Sequence, residues 1–206
     1  MAVKKGTLSI DSENIFPIIK KWLYSDKDIF IREVVSNGCD AITKLRMVDS
    51  AAAQNCSIHV EVDKAARELR FTDDGIGMTE DEVKTNINQV AFSGAKSFME
   101  EYAKNEDKEN SGIIGHFGLG FYSVFMIADK VTIDTLSFRE GATPVRWESE
   151  DGMAFTMTEG TRTTRGTTIT LHVSEAESEF LEQWRVREVL DRYCSFMAVP
   201  IYLEEV

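Results

Sequence analysis

Between residues 58 and 71 the chain alternates in two runs, Ile58, Val60 and Val62, then Leu69 and Phe71, each with polar residues between the apolar ones. A period of two is the pattern of a half-buried β-hairpin. Upstream the rhythm is helical. "SENIFPIIKKWLY" has Ser12 as a candidate N-cap, and "SDKDIFIREVVSNGCDAITKLRMV" opens with Ser25 and Asp28 at capping-box spacing. At about 100° per residue, Phe30, Ile31, Val34, Val35, Ala41, Ile42 and Leu45 cover a broad arc of the second helix. Thr79 and Glu82 repeat the capping box and start a helix through "TEDEVKTNINQVA". Residues 100–111, "EEYAKNEDKENS", are charged throughout and predict a loop or a helix with little buried face. Beyond them "FYSVFMIADKVTIDTLS" passes from a buried helix into a strand, and "PVRWESEDGMAFTMTEG" and "GTTITLHV" continue a meander. "EFLEQWRVREVLDRYCSFMAV" predicts an amphipathic helix and "PIYLEEV" a closing strand. Helices early and late with antiparallel strands between them imply an α+β fold, a two-layer sandwich with one helical layer on one sheet. No repeat and no Pro/Gly/Ser linker divides the chain, so a single domain over 1–206 is expected.

Composition narrows the classes of function. The 206 residues carry 43% hydrophobic and 28% charged residues, enough for a substantial core without disulfides or metals. A formal net charge of −12 repels phosphate backbones at long range and argues against coating nucleic acid. It leaves room for one phosphorylated small molecule in a local pocket. Cys39, Cys56 and Cys194 stand singly without CxxC spacing, as expected of reduced structural thiols. "MAVKKGTLSI" lacks the apolar stretch of a signal peptide, and no run approaches membrane-spanning length. A cytoplasmic location is the expectation.

Three stretches carry candidate chemistry. "GIIGHFGLGFYS" places four glycines in nine residues, in neither Walker A nor Rossmann spacing. Bare amides ahead of a helix form an anion cradle, and the same glycines suit a hinge. "RFTDDGIGMT" ends a strand on Asp73 with Gly75 and Gly77 beyond it. A carboxylate there can accept hydrogen bonds from a flat ligand, although in isolation Asp-Asp-Gly reads as an ordinary turn. On the second helix Glu33, Asn37, Asp40 and Lys44 line one edge of the apolar arc. A Glu beside a cleft can orient water and an Asn oxygen can ligate Mg²⁺. The solvent boundary of an amphipathic helix fits the same wheel, which does not decide between the two. His59, His116 and His172 have no metal-ligand spacing, and His59 reads as a surface or packed histidine.

The order of these stretches settles more than any one of them. Glu33/Asn37, Asp73–Gly77, GxxGxG and a Gly-Thr-Thr at 166–168 together resemble the GHKL (Bergerat) nucleotide-binding fold, shared by gyrase-type topoisomerases, histidine kinases, ninety-kilodalton heat-shock chaperones and mismatch-repair ATPases. "LYSDKDIFIREVVSNGCDAITKLR", "DDGIGMT", "SGAKSFMEEY", "IGHFGLGFYSVFMIADKV", "RGTTITLHV" and "LDRYCSFMAVPIYL" are similar to the N-terminal domain of bacterial-type heat-shock chaperones of that size, over essentially the whole chain.

The resemblance implies ATP/ADP as ligand, with a mostly antiparallel sheet covered on one face by helices. It implies that Asp73 accepts the adenine amino group with support from Thr167, while Gly77 and Met78 line the base pocket. Asn37 would hold Mg²⁺ against the phosphates, and Gly118, Leu119, Gly120 and Phe121 would offer them backbone amides. Asp40, Ala41, Lys44 and Asn86 would lie near the nucleotide. Glu33 would be the general base with Arg32 beside it, and residues 92–120 would form a lid. The chain departs from the family at Phe92, where lysine is common, at His116, where glutamine is common, and in "SNGCDA" for "SNASDA". Also implied are slow ATP hydrolysis assisting protein folding under stress, client proteins as partners, and middle and C-terminal domains beyond Val206. One supplies a further catalytic arginine and another the dimer contact, so this chain alone should be mainly monomeric and turn over feebly. Competing readings are a DNA topoisomerase or mismatch-repair ATPase, opposed by the charge, a histidine kinase, which lacks a phospho-acceptor helix here, and a binding module without chemistry. No nucleic-acid or membrane partner is expected.

Overall fold

Among the described residues, seven strands form one sheet in the order β5-β4-β3-β6-β2-β1-β7. They are β1 (Ile58–Asp63), β2 (Glu68–Asp73), β3 (Ala128–Leu136), β4 (Val145–Ser149), β5 (Thr156–Glu159), β6 (Gly166–Val173) and β7 (Ile201–Glu205). A computed structural model describes residues 27–87, 120–150, 152 and 154–206. The predicted helix from Ser12, the charged run at 100–111, the lid up to residue 119, and Phe92 and His116 lie outside the described residues. Only the β1–β7 pairing is parallel among the described strands, so the sheet is mixed but mostly antiparallel, as expected.

The predicted hairpin forms with Val60 opposite Phe71 and Val62 opposite Leu69. The meander holds only from β3 to β5. β6 then returns to lie between β3 and β2 instead of beside β5. The cause is burial: Leu171 and Val173 on β6 are enclosed, whereas β5 is an edge strand that is mostly exposed. A position beyond β5 would leave those side chains in water, at about 1.5–3 kcal/mol each. The crossing loop is held by Asp134, whose buried carboxylate accepts from the Thr161 amide at 3.0 Å and from its hydroxyl.

Helix α1 (Ile29–Val48) buries the predicted apolar arc except Ala41, which is half-buried. Ser36, Gly38, Cys39 and Asp40 are buried too, so protein encloses the middle of this helix well beyond that arc. Asp28 does not cap it through its side chain. Its buried carboxylate pairs instead with Arg185, and more distantly with Arg192 at 3.6 Å. Phe30 meets Phe180 and Phe71 edge-on at 5.0 and 6.4 Å, fastening α1 to the sheet. Helix α2 (Glu80–Asn86) has the predicted capping box: Thr79 Oγ1 accepts from the Glu82 amide and Glu82 Oε2 from the Thr79 amide, 3.3 and 2.7 Å. Gly120–Met126 is a buried 3₁₀ segment. The long C-terminal helix divides into a 3₁₀ segment (Glu175–Leu181) and α3 (Gln183–Cys194), because Glu182 is extended between them while its carboxylate takes Lys64 at 2.9 Å. The three cysteines are buried free thiols. No described helix is long and apolar enough to cross a membrane.

Strand register builds the core in rows. Leu69, Leu171 and Val131 form one row across β2, β6 and β3, and Phe71, Ile169 and Ile133 the next. The row after that, on the same parity, is Asp73, Thr167 and Thr135. Hydrophobic layering therefore ends in three buried polar residues at one end of the strands.

Candidate functional site

That polar row is roofed by the turn leaving β2. Asp73 Oδ1 accepts from the Gly75 amide at 2.8 Å, the local bond expected of an Asx-type turn. The turn is also held from outside: Ile76 N–H donates to the Ala41 carbonyl of α1 at 3.1 Å, and Phe138 N–H donates to the Ile76 carbonyl at 2.8 Å. Met78 N–H donates to Thr135 Oγ1 at 3.0 Å, and the Cys56 thiol donates to the Asp74 carbonyl at 3.3 Å. Two glycines make the approach possible. A Cβ on Gly75 would stand 2.6 Å from that of Ala41, and Gly77, at φ +64°, passes so close to the Leu136 carbonyl that any side chain would overlap it. Gly166, at φ +114°, runs equally close to the Asp73 carbonyl.

Burial pushes the Asp73 carboxyl up to about 7, against the pull of the Gly75 and Thr167 amides and the Arg162 guanidinium; Asp74 adds to the rise. An acid enclosed this way lacks the water that would favour its charge, and a donor brought by a ligand would supply what water does not. Arg162 is steered there by bonds from Nη1 to Thr168 Oγ1 and from Nη2 to the Arg165 carbonyl, 2.6 and 3.0 Å.

The edge of α1 predicted to carry chemistry lies next to this turn. Ala41 touches it, Gly38 faces Asp73 and Ile58, and Asp40 is buried. Burial pulls the Lys44 ammonium down while Asp40 and Glu82 oppose the shift, which places Lys44 between α1 and α2. Asn37 is exposed one turn from Glu33. Glu33 is half-buried, and desolvation raises its carboxyl, partly offset by Arg32. Arg32 itself is exposed, and its charge also acts on the Cys194 thiol of α3.

Gly120 sits directly against the Glu33 carboxylate, where any Cβ would overlap Oε2. Phe121 turns its ring into an aromatic cluster with Tyr122, Phe125 and Trp147. The Tyr122 hydroxyl donates to the Ile87 carbonyl, the residue after Asn86, and so ties the 3₁₀ segment to the end of α2. Gly118 and Leu119 lie outside the described residues. The structure thus gathers Asp73, Thr167, Gly77, Met78 and Ala41 at one end of the α1 edge, and Glu33 and Gly120 at the other. Thr135, Gly38 and Arg162 belong to the first group and were not singled out by sequence. For Thr135 a signal was present, since it continues the core parity of Val131 and Ile133 with a polar residue.

Among the described residues no group of three or more His, Cys, Asp or Glu could hold a metal by itself.

Comparison with known proteins identifies a family and its relatives. The family profile for histidine kinase-, DNA gyrase B- and HSP90-like ATPases matches residues 29–151. The chain is 46% identical over 203 residues to Chaperone protein HtpG of Porphyromonas gingivalis, covering 96% of this chain and 29% of that protein. It is 47% identical over 204 residues to Chaperone protein HtpG of Bacteroides thetaiotaomicron, covering 97% and 29%. Against Chaperone protein HtpG of Cupriavidus taiwanensis the identity is 40% over 210 residues, covering 98% and 33%. The chain spans about a third or less of the length of these relatives. With a profile matched across more than half of its length, through both ends of the site, the chain belongs to the histidine kinase-, DNA gyrase B- and HSP90-like ATPase family.

Proposed function

We propose that the chain is the ATP-binding, slowly ATP-hydrolysing domain of a molecular chaperone that assists protein folding under stress in the cytoplasm. The observation carrying this reading is the buried polar row of Asp73, Thr167 and Thr135, which ends a hydrophobic core beneath a glycine-relieved turn. An ionised Asp73 accepts the adenine amino group, with Thr167 beside it and Gly77 and Met78 flanking the ring. Asp40, Ala41, Lys44 and Asn86 border the nucleoside, while Gly118, Leu119, Gly120 and Phe121 offer amides to the phosphates. Residues 92–120 act as the lid of a single domain.

Glu33 is suited to orient and deprotonate the attacking water: its raised carboxyl is a stronger base than an exposed one. Arg32, one residue away and pointing elsewhere on the helix, adjusts that basicity through its field. Exposed Asn37 provides one neutral oxygen, a fit for a hard cation held mainly by phosphate oxygens and water. Bound there, Mg²⁺ would neutralise phosphate charge. In the longer protein, middle and C-terminal domains would complete catalysis and dimerise, and client proteins would be the partners. The fragment alone would be mainly monomeric.

The test is ATP turnover by Glu33→Ala. The proposal expects ATP affinity within about threefold of the parent and hydrolysis lower by about 10²–10⁴-fold. Parent-rate hydrolysis in the variant would assign the base elsewhere.

A further inference from the structure

Thr135 is fully buried on β3, and its hydroxyl oxygen has three polar neighbours. The Met78 amide nitrogen lies 3.0 Å away, the Gly166 carbonyl oxygen 3.1 Å and the Thr167 hydroxyl 3.0 Å. A threonine hydroxyl has one proton to give and two lone pairs to accept with; an amide only donates, and a carbonyl only accepts. One arrangement satisfies all three contacts. Met78 N–H and Thr167 O–H donate to Thr135, and the Thr135 proton goes to the Gly166 carbonyl. If Thr135 donated to Thr167 instead, two buried oxygens 3.1 Å apart would face each other with no proton between them.

The Thr167 proton is therefore committed toward β3. On its other side, where Asp73 stands in register on β2, Thr167 Oγ1 has only lone pairs to offer. We propose that Thr135 is a positioning residue which, acting through Thr167, makes this end of the site acceptor-only, so that it receives an exocyclic amino group and rejects a ring carbonyl. The proposal rests on the nucleotide reading above and deepens it: Asp73 is not the sole source of base selectivity, and a buried residue out of its reach sets the sense of its neighbour.

The test is calorimetric titration of the 206-residue chain with ATP and with inosine triphosphate, which carries a carbonyl in place of the amino group. The parent prefers ATP. Thr135→Ser keeps the hydroxyl and should keep that preference within about threefold, whereas Thr135→Val keeps the shape and should lower the ATP-to-inosine-triphosphate ratio about tenfold. Thr167→Val should lower it similarly, and the double variant should add nothing, because the two residues act as one unit. Should Thr135→Val not fold, Thr135→Ala, which also removes the hydroxyl, carries the comparison with Thr135→Ser. Equal weakening of both ligands, an unchanged ratio, or additive losses would overturn the proposal and leave Thr135 a packing strut. A parent chain without preference for ATP would instead sink the adenine reading itself, and this inference with it.

Discussion

At the scale of the residue, Asp73 is held where ionisation is difficult, and this has two opposite consequences. Burial pushes its carboxyl up from the ordinary 3.8 of an exposed Asp to about 7 in the fold. The folded state therefore binds the proton more tightly, and stability falls as pH rises from about 4 through 7, at about 1.4 kcal/mol per pKa unit. Arg162 and the Gly75 and Thr167 amides limit that loss, while Asp74 adds to it. Replacing Asp73 by Asn should raise the melting temperature relative to the parent at pH 8, with the difference closing toward pH 4. Nucleotide affinity should run the other way in the parent, weakening as pH falls below about 7, because the ionised acid accepts a stronger, charge-assisted bond from an amino group than the neutral carboxyl does. Melts and titrations across that range check both signs.

How far the site was legible follows from the same residues. "DDGIGMT" read alone as a turn, and the Asp73–Gly75 bond shows that it is one. What sequence could not show was the strapping of that turn by Ala41 of α1 and by Thr135 and Phe138 at and just past the end of β3, two distant parts of the chain.

At the scale of the element, local signals held where local forces decide. The capping box at Thr79 formed because donor and acceptor lie three residues apart, and Thr79→Ala should cost about 1 kcal/mol in chemical denaturation. The hairpin formed because its alternation leaves one register that buries Val60 opposite Phe71. The return of β6 between β3 and β2 was not legible, since it depends on which strands can enclose Leu171 and Val173. The division of the C-terminal helix was not legible either: Glu182 is extended between the two segments, and its contact with Lys64, 118 residues distant, is no part of the local pattern.

The glycines divide by element as well. Gly77 is required by backbone, with positive φ and the Leu136 carbonyl against it. Gly77→Ala should destabilise the fold by about 1–3 kcal/mol. Gly120 is required by Glu33. Gly120→Ala should displace that carboxylate and lower turnover more than ATP affinity, a split that steady-state kinetics with titration would reveal.

At the scale of the whole molecule, the hydrophobic rows of the sheet end in the buried polar row where the proposed nucleotide site lies. The chain's formal net charge of −12 gives no long-range attraction to a phosphate polymer. Binding to DNA should be absent at physiological salt. Ligand recognition must then come from short-range geometry: amides, one buried acid and the acceptor row beside it. The central claim is that this buried acid is the anchor of an adenine nucleotide, and calorimetric titration of ATP in Mg²⁺ into the parent and into Asp73→Asn at pH 8 tests it most directly. The account predicts saturable one-to-one binding by the parent and a loss of about tenfold or more in the variant. Equal affinity in the two, with the variant folded, would contradict it.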